Sequence, residues 1–255
     1  MTKLAVVTGG STGIGRHLVS AFAKAGYAVA FNYLGVDEAA RSLVAEVKST
    51  GGEVMAVRGD VGLGPDVARF YDAVTARFGD APDVLINNAG IQTWSPLLDL
   101  DEESWDAVIR TNLKGCFLNT KAAARLMIDA GKPGSIVNIG SGCNKLAFPN
   151  LVDYSASKGG IEQFTKVSAV ELGPHGIRVN CVAPGAIATE RTDLEAVGYG
   201  DKWSKITPLR RVGTPADVAG PVLFLTGDAA AFVTGQTIWV DGGVFSQAAW
   251  PPYEA

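Results

Sequence analysis

Leu4-Ala-Val-Val7-Thr8-Gly9-Gly-Ser11-Thr12-Gly13-Ile14-Gly15 is the stretch on which the rest of this chain depends. Four apolar residues without a polar break suit a strand covered on both faces, as parallel strands are. The loop after them holds Gly9, Gly13 and Gly15, where a missing Cβ permits a tight turn and close approach to a ligand. An amphipathic run from Arg16 to Ala25 follows, closed by Gly26. Such a helix aims its free N–H groups and positive dipole end back at the loop. A glycine-rich turn with no ligand is the bland alternative; a strand before the loop and a helix after it favour a phosphate site. Gly9, Ser11, Thr12, Gly13, Ile14 and Gly15 are the residues expected to cradle it, in the arrangement of dinucleotide sites.

Outward from there, a second strand (Tyr27–Tyr33) completes a βαβ unit. An Asp or Glu at its end commonly holds the ribose 2′-hydroxyl of NAD. Here the end reads Asn32-Tyr33-Leu34-Gly35, with no carboxylate before Asp37. NADP is therefore favoured and NAD stays open, with Tyr33 at the cofactor. Arg41 and Arg16 are candidates for a 2′-phosphate, or are simply solvated. A helix over Asp37–Ser49 and a strand over Glu53–Arg58 lead to Asp60-Val61, where Asp60 either meets an adenine amine or caps the next turn. After a helix over Asp66–Phe78, the fourth strand exits through Asn87-Asn88-Ala89-Gly90. Asn87 reads as structural, and Asn88, Ala89 and Gly90 as cofactor lining. The next helix starts near Asp101 and carries an inward stripe of Trp105, Val108, Ile109, Leu113 and Phe117. Asn112 interrupts it, either as a bundle-locking hydrogen bonder or as part of a site.

The fifth strand (Ser135–Ser141) delivers a hydroxyl, and a helix opening after Pro149 sets Tyr154 and Lys158 one turn apart on one face. A phenol ionises near pH ~10, and an adjacent ammonium lowers that value toward working pH. Taken alone, the spacing also describes an ordinary surface helix. The sixth strand (Ile177–Val182) turns at Pro184-Gly185, with Ile187 and Thr189 beyond it, and residues 188–213 form an irregular stretch suited to a lid. A helix (Pro215–Gly227) and a last strand (Gln236–Val240) close the pattern; the tail Trp250-Pro-Pro-Tyr-Glu-Ala hints at docking on another surface. About seven strands alternating with helices describe one α/β domain over residues 1–255, a doubly wound parallel sheet. Thr8, Asp60, Ala89, Ser141 and Pro184 all fall at the carboxyl edge of that sheet, which strengthens each separate signal.

Composition excludes other classes. Acidic and basic residues are interspersed at a net charge of −4, leaving no basic face for nucleic acid. No apolar run approaches the ~18 residues of a membrane span, and no signal-peptide core precedes the first strand. Cys116, Cys143 and Cys181 are dispersed and read as thiols of a reducing compartment, hence a cytoplasmic protein. Two histidines and no Cys/His cluster leave no basis for a metal site.

With these residues in place, the sequence closely resembles the short-chain dehydrogenase/reductase family along essentially its whole length. Thr8-Gly-Gly-Ser-Thr-Gly-Ile-Gly15 matches the family's Thr-Gly-x-x-x-Gly-x-Gly loop, Asn87-Asn-Ala-Gly90 its Asn-Asn-Ala-Gly motif, Tyr154-Ser-Ala-Ser-Lys158 its Tyr-x-x-x-Lys motif, and Pro184-Gly185 the turn after the sixth strand. The resemblance implies a Rossmann domain that moves a hydride between the nicotinamide of NADP or NAD and a carbonyl or secondary alcohol. It implies Tyr154 as acid/base, Ser141 orienting the substrate oxygen, Lys158 on the nicotinamide ribose, and Asn112 holding a water that leads to Lys158. The family's basic NADP positions hold Thr12 and Leu34 here, and the Asp of NAD-preferring members is Tyr33, so NADP remains favoured with NAD open. Gln92, Trp94, Cys143, Asn144, Tyr199 and Trp203 are expected around the substrate; the aromatic rings are core residues in the bland reading. Mixed amides and rings suit a sugar or polyol, with a 3-oxoacyl group or small ketone as alternative. A non-catalytic cofactor-binding regulator has no need of Asn112, Ser141, Tyr154 and Lys158 together. An enoyl reductase or a sugar-nucleotide epimerase fits less well, by tyrosine–lysine spacing and by chain length. The resemblance also implies a homo-oligomer, tetramer or dimer, built partly on the helices bearing Asn112 and Tyr154.

Overall fold

The computed structural model describes residues 2–247; the tail from Trp250 lies outside the described residues. Its strands are β1 (Leu4–Val7), β2 (Ala28–Tyr33), β3 (Val54–Arg58), β4 (Val84–Asn87), β5 (Gly134–Ile139), β6 (Ile177–Pro184) and β7 (Thr237–Val240). Its helices are α1 (Gly13–Lys24), α2 (Asp37–Ser49), α3 (Gly64–Phe78), α4 (Glu102–Ile109), α5 (Gly115–Asp129), α6 (Val152–Leu172), α7 (Glu190–Glu195), α8 (Tyr199–Ile206) and α9 (Pro215–Thr226).

Strand alternation sorts the apolar side chains into two cores. Ala5 and Val7 of β1 point to one face and pack with Leu18 and Phe22 of α1, Leu43 of α2 and Val222 of α9. Leu4 and Val6 point to the other, with Phe70 and Val74 of α3, Met127 of α5 and Ala169 of α6. Both faces are covered, which is why β1 is apolar throughout. The sheet runs β3-β2-β1-β4-β5-β6-β7 with every pair parallel. Its order reverses between β1 and β4, so the two chain ends beside that reversal open a crevice for a ligand.

Two sequence expectations change. The helix expected from Asp101 is not one regular helix: a π-helical turn at Arg110–Lys114 joins α4 to α5. The extra residue resets the helical phase after it, so Cys116 and Ala123 face inward and Phe117 (44% exposed) faces out; before it, Val108 faces inward and Trp105 (36%) outward. Residues 188–213 are not irregular either, since α7 and α8 fold there. Ser141 lies two residues beyond the end of β5, where it caps a 3-10 turn at Gly142–Asn144.

Candidate active site

The glycine loop is fastened to neighbouring strand ends by side chains. The Thr8 hydroxyl oxygen accepts the Asn88 and Ala89 N–H groups at 2.9 and 3.1 Å, and the Asn88 amide donates back to the carbonyls of Thr8 and Gly9. Buried Asn32 accepts the Gly9 N–H at 2.9 Å and donates to the Gly59 carbonyl at 3.0 Å. Gly9 has φ +63°, and a Cβ there would stand 2.8 Å from the Ala89 Cα. Thr12 is the N-cap of α1 and makes no side-chain capping bond, and no acidic residue occupies the first turn. The first N–H groups of α1 therefore face the loop uncapped, as an anion site requires. Gly13 (φ +53°) lies across from Thr189, whose Cγ2 would be 3.8 Å from an added Cβ. The loop after β6 thus reaches the glycine loop. Ser11 is buried under the loop and Ile14 packs on the core of α1.

Other expected cofactor residues have local duties. One oxygen of Asp60 accepts the Gly62 N–H at 2.8 Å, the capping alternative. Val61 is buried against Gly115 of α5. Gly185 is glycine because a Cβ would stand 2.8 Å from the Asp241 Cα. Ile187 is buried and bridges to Gly213, while the Thr189 oxygen caps α7 by accepting the Thr192 N–H.

The chemistry-bearing side chains meet above β4, β5 and β6. Lys158 is 3% exposed; its Nζ donates to the Ile139 carbonyl at 2.7 Å and lies 5.4 Å from the Tyr154 ring centre. Burial pushes its ammonium below the ordinary lysine value. Two further N–H donors of that ammonium remain to point into the crevice. The Ser141 hydroxyl oxygen accepts the Cys143 N–H at 3.3 Å, and the same hydroxyl bonds the Tyr154 phenol. Tyr154 is half-buried, yet its hydroxyl is so surrounded that desolvation pushes the phenol up to about 12, with the Ser141 bond and the Arg191 charge pulling the other way. The lowering of that value by Lys158, expected from sequence, is not what this arrangement gives. The lysine stands beside the ring and spends a bond on Ile139.

Asn112, 1% exposed, accepts the Ile91 N–H at 2.8 Å and donates to the Ile91 carbonyl and the Ser157 hydroxyl, each at 2.9 Å. Its Oδ1 and the Lys158 Nζ flank the same point beside Gly90, at 3.3 and 3.7 Å from an added Cβ. Asn112 thus ties the loop after β4 to α6 through Ser157 and stands next to Lys158 beside Gly90. Asp153 was not anticipated. It is wholly buried, and its Oδ1 accepts the Tyr154 N–H at 2.6 Å, which fixes the first turn of α6.

On the substrate side, Cys143 is half-buried next to Ser141, and burial raises its thiol pKa. Half-buried Asn144 also props Ser141: its Oδ1 accepts the Ser141 N–H at 3.2 Å and its Nδ2 lies 3.8 Å from the Cys181 sulfur. Gln92 is half-buried in the loop after β4, and Trp94 is 60% exposed there. That loop pairs with the start of α6, the Ser95 N–H donating to the Asn150 carbonyl at 2.9 Å. From α8, Tyr199 accepts the Ile187 N–H on its hydroxyl and acts on Tyr154, its own phenol pushed by burial to about 12. Trp203 stacks 6.2 Å from Tyr199 and 6.4 Å from Phe148, which meets Phe245 edge-on at 5.6 Å. Phe148 and Phe245 had no signal of their own in the sequence. The one indirect mark is Gly142, where a Cβ would overlap the Phe245 ring.

A parallel sheet with an uncapped helix N-terminus at its crevice, a phenol–serine pair and a buried lysine define a dinucleotide-dependent oxidoreductase. The family model described as enoyl-(acyl carrier protein) reductase matches residues 9–245. A 3-oxoacyl-(acyl-carrier-protein) reductase of Staphylococcus epidermidis is 40% identical over 245 residues, 96% of this chain and 100% of the relative. The structure of a gluconate 5-dehydrogenase from Burkholderia cenocepacia J2315 in complex with NADP and tartrate superposes with a TM-score of 0.89 at 35% identity, covering 96% of both chains. A short-chain type dehydrogenase/reductase from Mycobacterium marinum gives 0.90 at 36% identity over 95% of both. The chain belongs to the short-chain dehydrogenase/reductase family and is an oxidoreductase acting on CH–OH or keto groups. Among the described residues no helix is long and apolar enough to cross a membrane.

Proposed function

We propose that this enzyme interconverts a ketone and a secondary alcohol on a small polyhydroxy substrate such as a sugar acid or polyol, with NADP as the favoured partner. The observation that carries the reading is the hydrogen bond between the Ser141 and Tyr154 hydroxyls, directed at one spot beside buried Lys158. The chain's own residues fit such a cofactor: the uncapped N-terminus of α1 would hold the diphosphate, Ala89 and Gly90 would leave room for the ribose, and Lys158 and Tyr154 would hold the nicotinamide end. When bound, the nicotinamide supplies or accepts the hydride. Ser141 holds the substrate oxygen and stabilises the charge that grows on it. Tyr154 gives that oxygen a proton; a phenol held near 12 stays protonated at neutral pH, which suits the reductive direction. Lys158 provides a fixed positive charge in a low-dielectric wall, and Asn112 keeps the loop bearing Gly90 in place. Tyr199 and Trp203 on α8 form the lid over residues 188–213, their faces against the substrate's C–H surfaces.

The 40% identity to a 3-oxoacyl-(acyl-carrier-protein) reductase supports a second reading, a 3-oxoacyl substrate, and exposed Lys202, Lys205 and Arg210 on and just after α8 offer cations to an acidic carrier. We further place the enzyme in the cytoplasm, as a homo-oligomer. Exposed Trp105, Phe117, Val167 and Val170 on α4, α5 and α6 are the apolar surface such an assembly would cover.

An absorbance assay of sugar acids, polyols and 3-oxoacyl thioesters with NADP and NAD in parallel separates the substrate readings. Tyr154→Phe is expected to retain cofactor binding and lose roughly 100-fold or more in turnover; near-normal turnover in that variant refutes the mechanism.

A further inference from the structure

The position that would discriminate NADP from NAD is the end of β2, and the sequence shows only Tyr33 there. Parallel register places Tyr33 directly beside Arg58, the last residue of β3, and the Gly59 N–H closes on the Tyr33 carbonyl at 2.9 Å. The Tyr33 hydroxyl bonds the Asp37 carboxylate, and the Arg58 Nε stands 3.9 Å from the Asp37 Oδ1. Arg41 lies within electrostatic range of the same phenol, while pairing with Glu38 at 3.0 Å. Arg16, the other candidate from sequence, is turned away: its guanidinium is spent on Glu46 at 2.7 Å, on Ser42 and on the Ala39 carbonyl.

Arg58 is not spent in that way. Its side chain is 63% exposed, that of Asp37 is 50% exposed, and 3.9 Å is too long for a hydrogen bond between them. An exposed pair of this kind contributes little and is readily exchanged. A phosphomonoester offers up to two charges and several acceptor oxygens to the planar guanidinium fork.

We propose that Arg58, with Arg41 behind it, is the seat of the NADP 2′-phosphate, and that Asp37 is the counter-charge which that phosphate displaces. This rests on the NADP reading above. It also explains how NAD stays tolerable, since Asp37 stands ready to accept a free 2′-hydroxyl once no phosphate claims the arginine.

The test is calorimetric titration of the full chain with 2′,5′-ADP and with 5′-ADP, for the wild type, Arg58→Gln, Arg58→Lys and Asp37→Asn. The wild type is expected to bind 2′,5′-ADP about tenfold or more tighter than 5′-ADP, because charge-assisted bonds to the extra phosphate are worth roughly that much. Arg58→Gln is expected to abolish most of that preference, Arg58→Lys to keep part of it, and Asp37→Asn to raise it. A wild type that binds both ligands equally overturns the NADP reading and this proposal with it. A wild type with the preference, shared undiminished by Arg58→Gln, leaves NADP standing and overturns the role of Arg58. An equal loss of both ligands in Arg58→Gln also overturns it, since discrimination would then not run through this side chain.

Discussion

Replacing Asn112 with Ala deletes three hydrogen bonds, two part-buried ones to the Ile91 backbone and a buried one to Ser157. Their loss is unequal. Ser157 keeps its own donation to the Tyr154 carbonyl at 2.7 Å, so its hydroxyl is not orphaned. Ile91 is 38% exposed, so water replaces part of what its N–H and carbonyl lose. Each bond is then worth about 1 kcal/mol, near the net value of a neutral bond, and a small cavity at a 1%-exposed site adds about 1 kcal/mol. The total, about 3–4 kcal/mol, corresponds to a drop of roughly 6–16 °C in melting temperature for a domain of this size. Asn112→Asp keeps the acceptor for the Ile91 N–H but sets a buried carboxylate oxygen against the Ile91 carbonyl and the Ser157 oxygen, so its melting point is expected below that of Asn112→Ala at neutral pH. Its carboxylate also faces the wall shared with Lys158, and activity is expected to fall further than stability. Differential scanning calorimetry with steady-state kinetics on the same preparations gives both numbers. If Asn112→Ala melts within about 1 °C of the wild type, the lock on Ile91 bears no weight and the reasoning fails.

Gly9→Ala is expected to cost about 2 kcal/mol or more, because φ +63° is strained for alanine and its Cβ would stand 2.8 Å from the Ala89 Cα. The loop must then part from the strand end beside it, so cofactor affinity should fall about tenfold or more; fluorescence titration showing unchanged affinity would contradict the cradle described. Alkaline stability should report the Tyr154 environment. The unfolded phenol ionises near ~10 and the native one near about 12, so its contribution is complete below pH ~10 and is lost as pH rises towards 12. Urea melts of wild type and Tyr154→Phe should therefore differ by a further 1–3 kcal/mol, roughly, against the wild type over that window; a constant difference between pH 8 and 11 would show that burial does not hold the proton.

The residues that the sequence singled out are those whose chemistry is local. The strand–glycine loop–helix order of Leu4 to Lys24 is written in consecutive residues, because turn geometry and helix capping depend on near neighbours. Tyr154 and Lys158 share a face for the same reason, since one helical turn brings them together. Apolar strands covered on both faces made the parallel sheet legible without any partner being known.

Contacts between distant segments had no such mark. Asn144 also props Ser141, because a 3-10 turn swings its amide back under the strand end. Trp105 and Phe117 face out rather than in; for Phe117 the π turn at Arg110–Lys114 breaks the 3.6-residue period, while Trp105 lies on the outer side of α4 before that turn. Phe148, Trp203 and Phe245 converge from three separate parts of the chain, and Arg58 stands beside Tyr33 only through the pairing of β2 with β3. By itself the sequence determined the sheet, the glycine loop at the head of α1 and the shared helix face of Tyr154 and Lys158, all of them products of short-range periodicity and backbone geometry. The tertiary structure alone decided what surrounds them: the burial of the Tyr154 hydroxyl, the lock on Ile91 and the gathering of Arg58 and Asp37 beside Tyr33. Each of these depends on which strand ends and helix turns lie side by side, and long-range packing sets that.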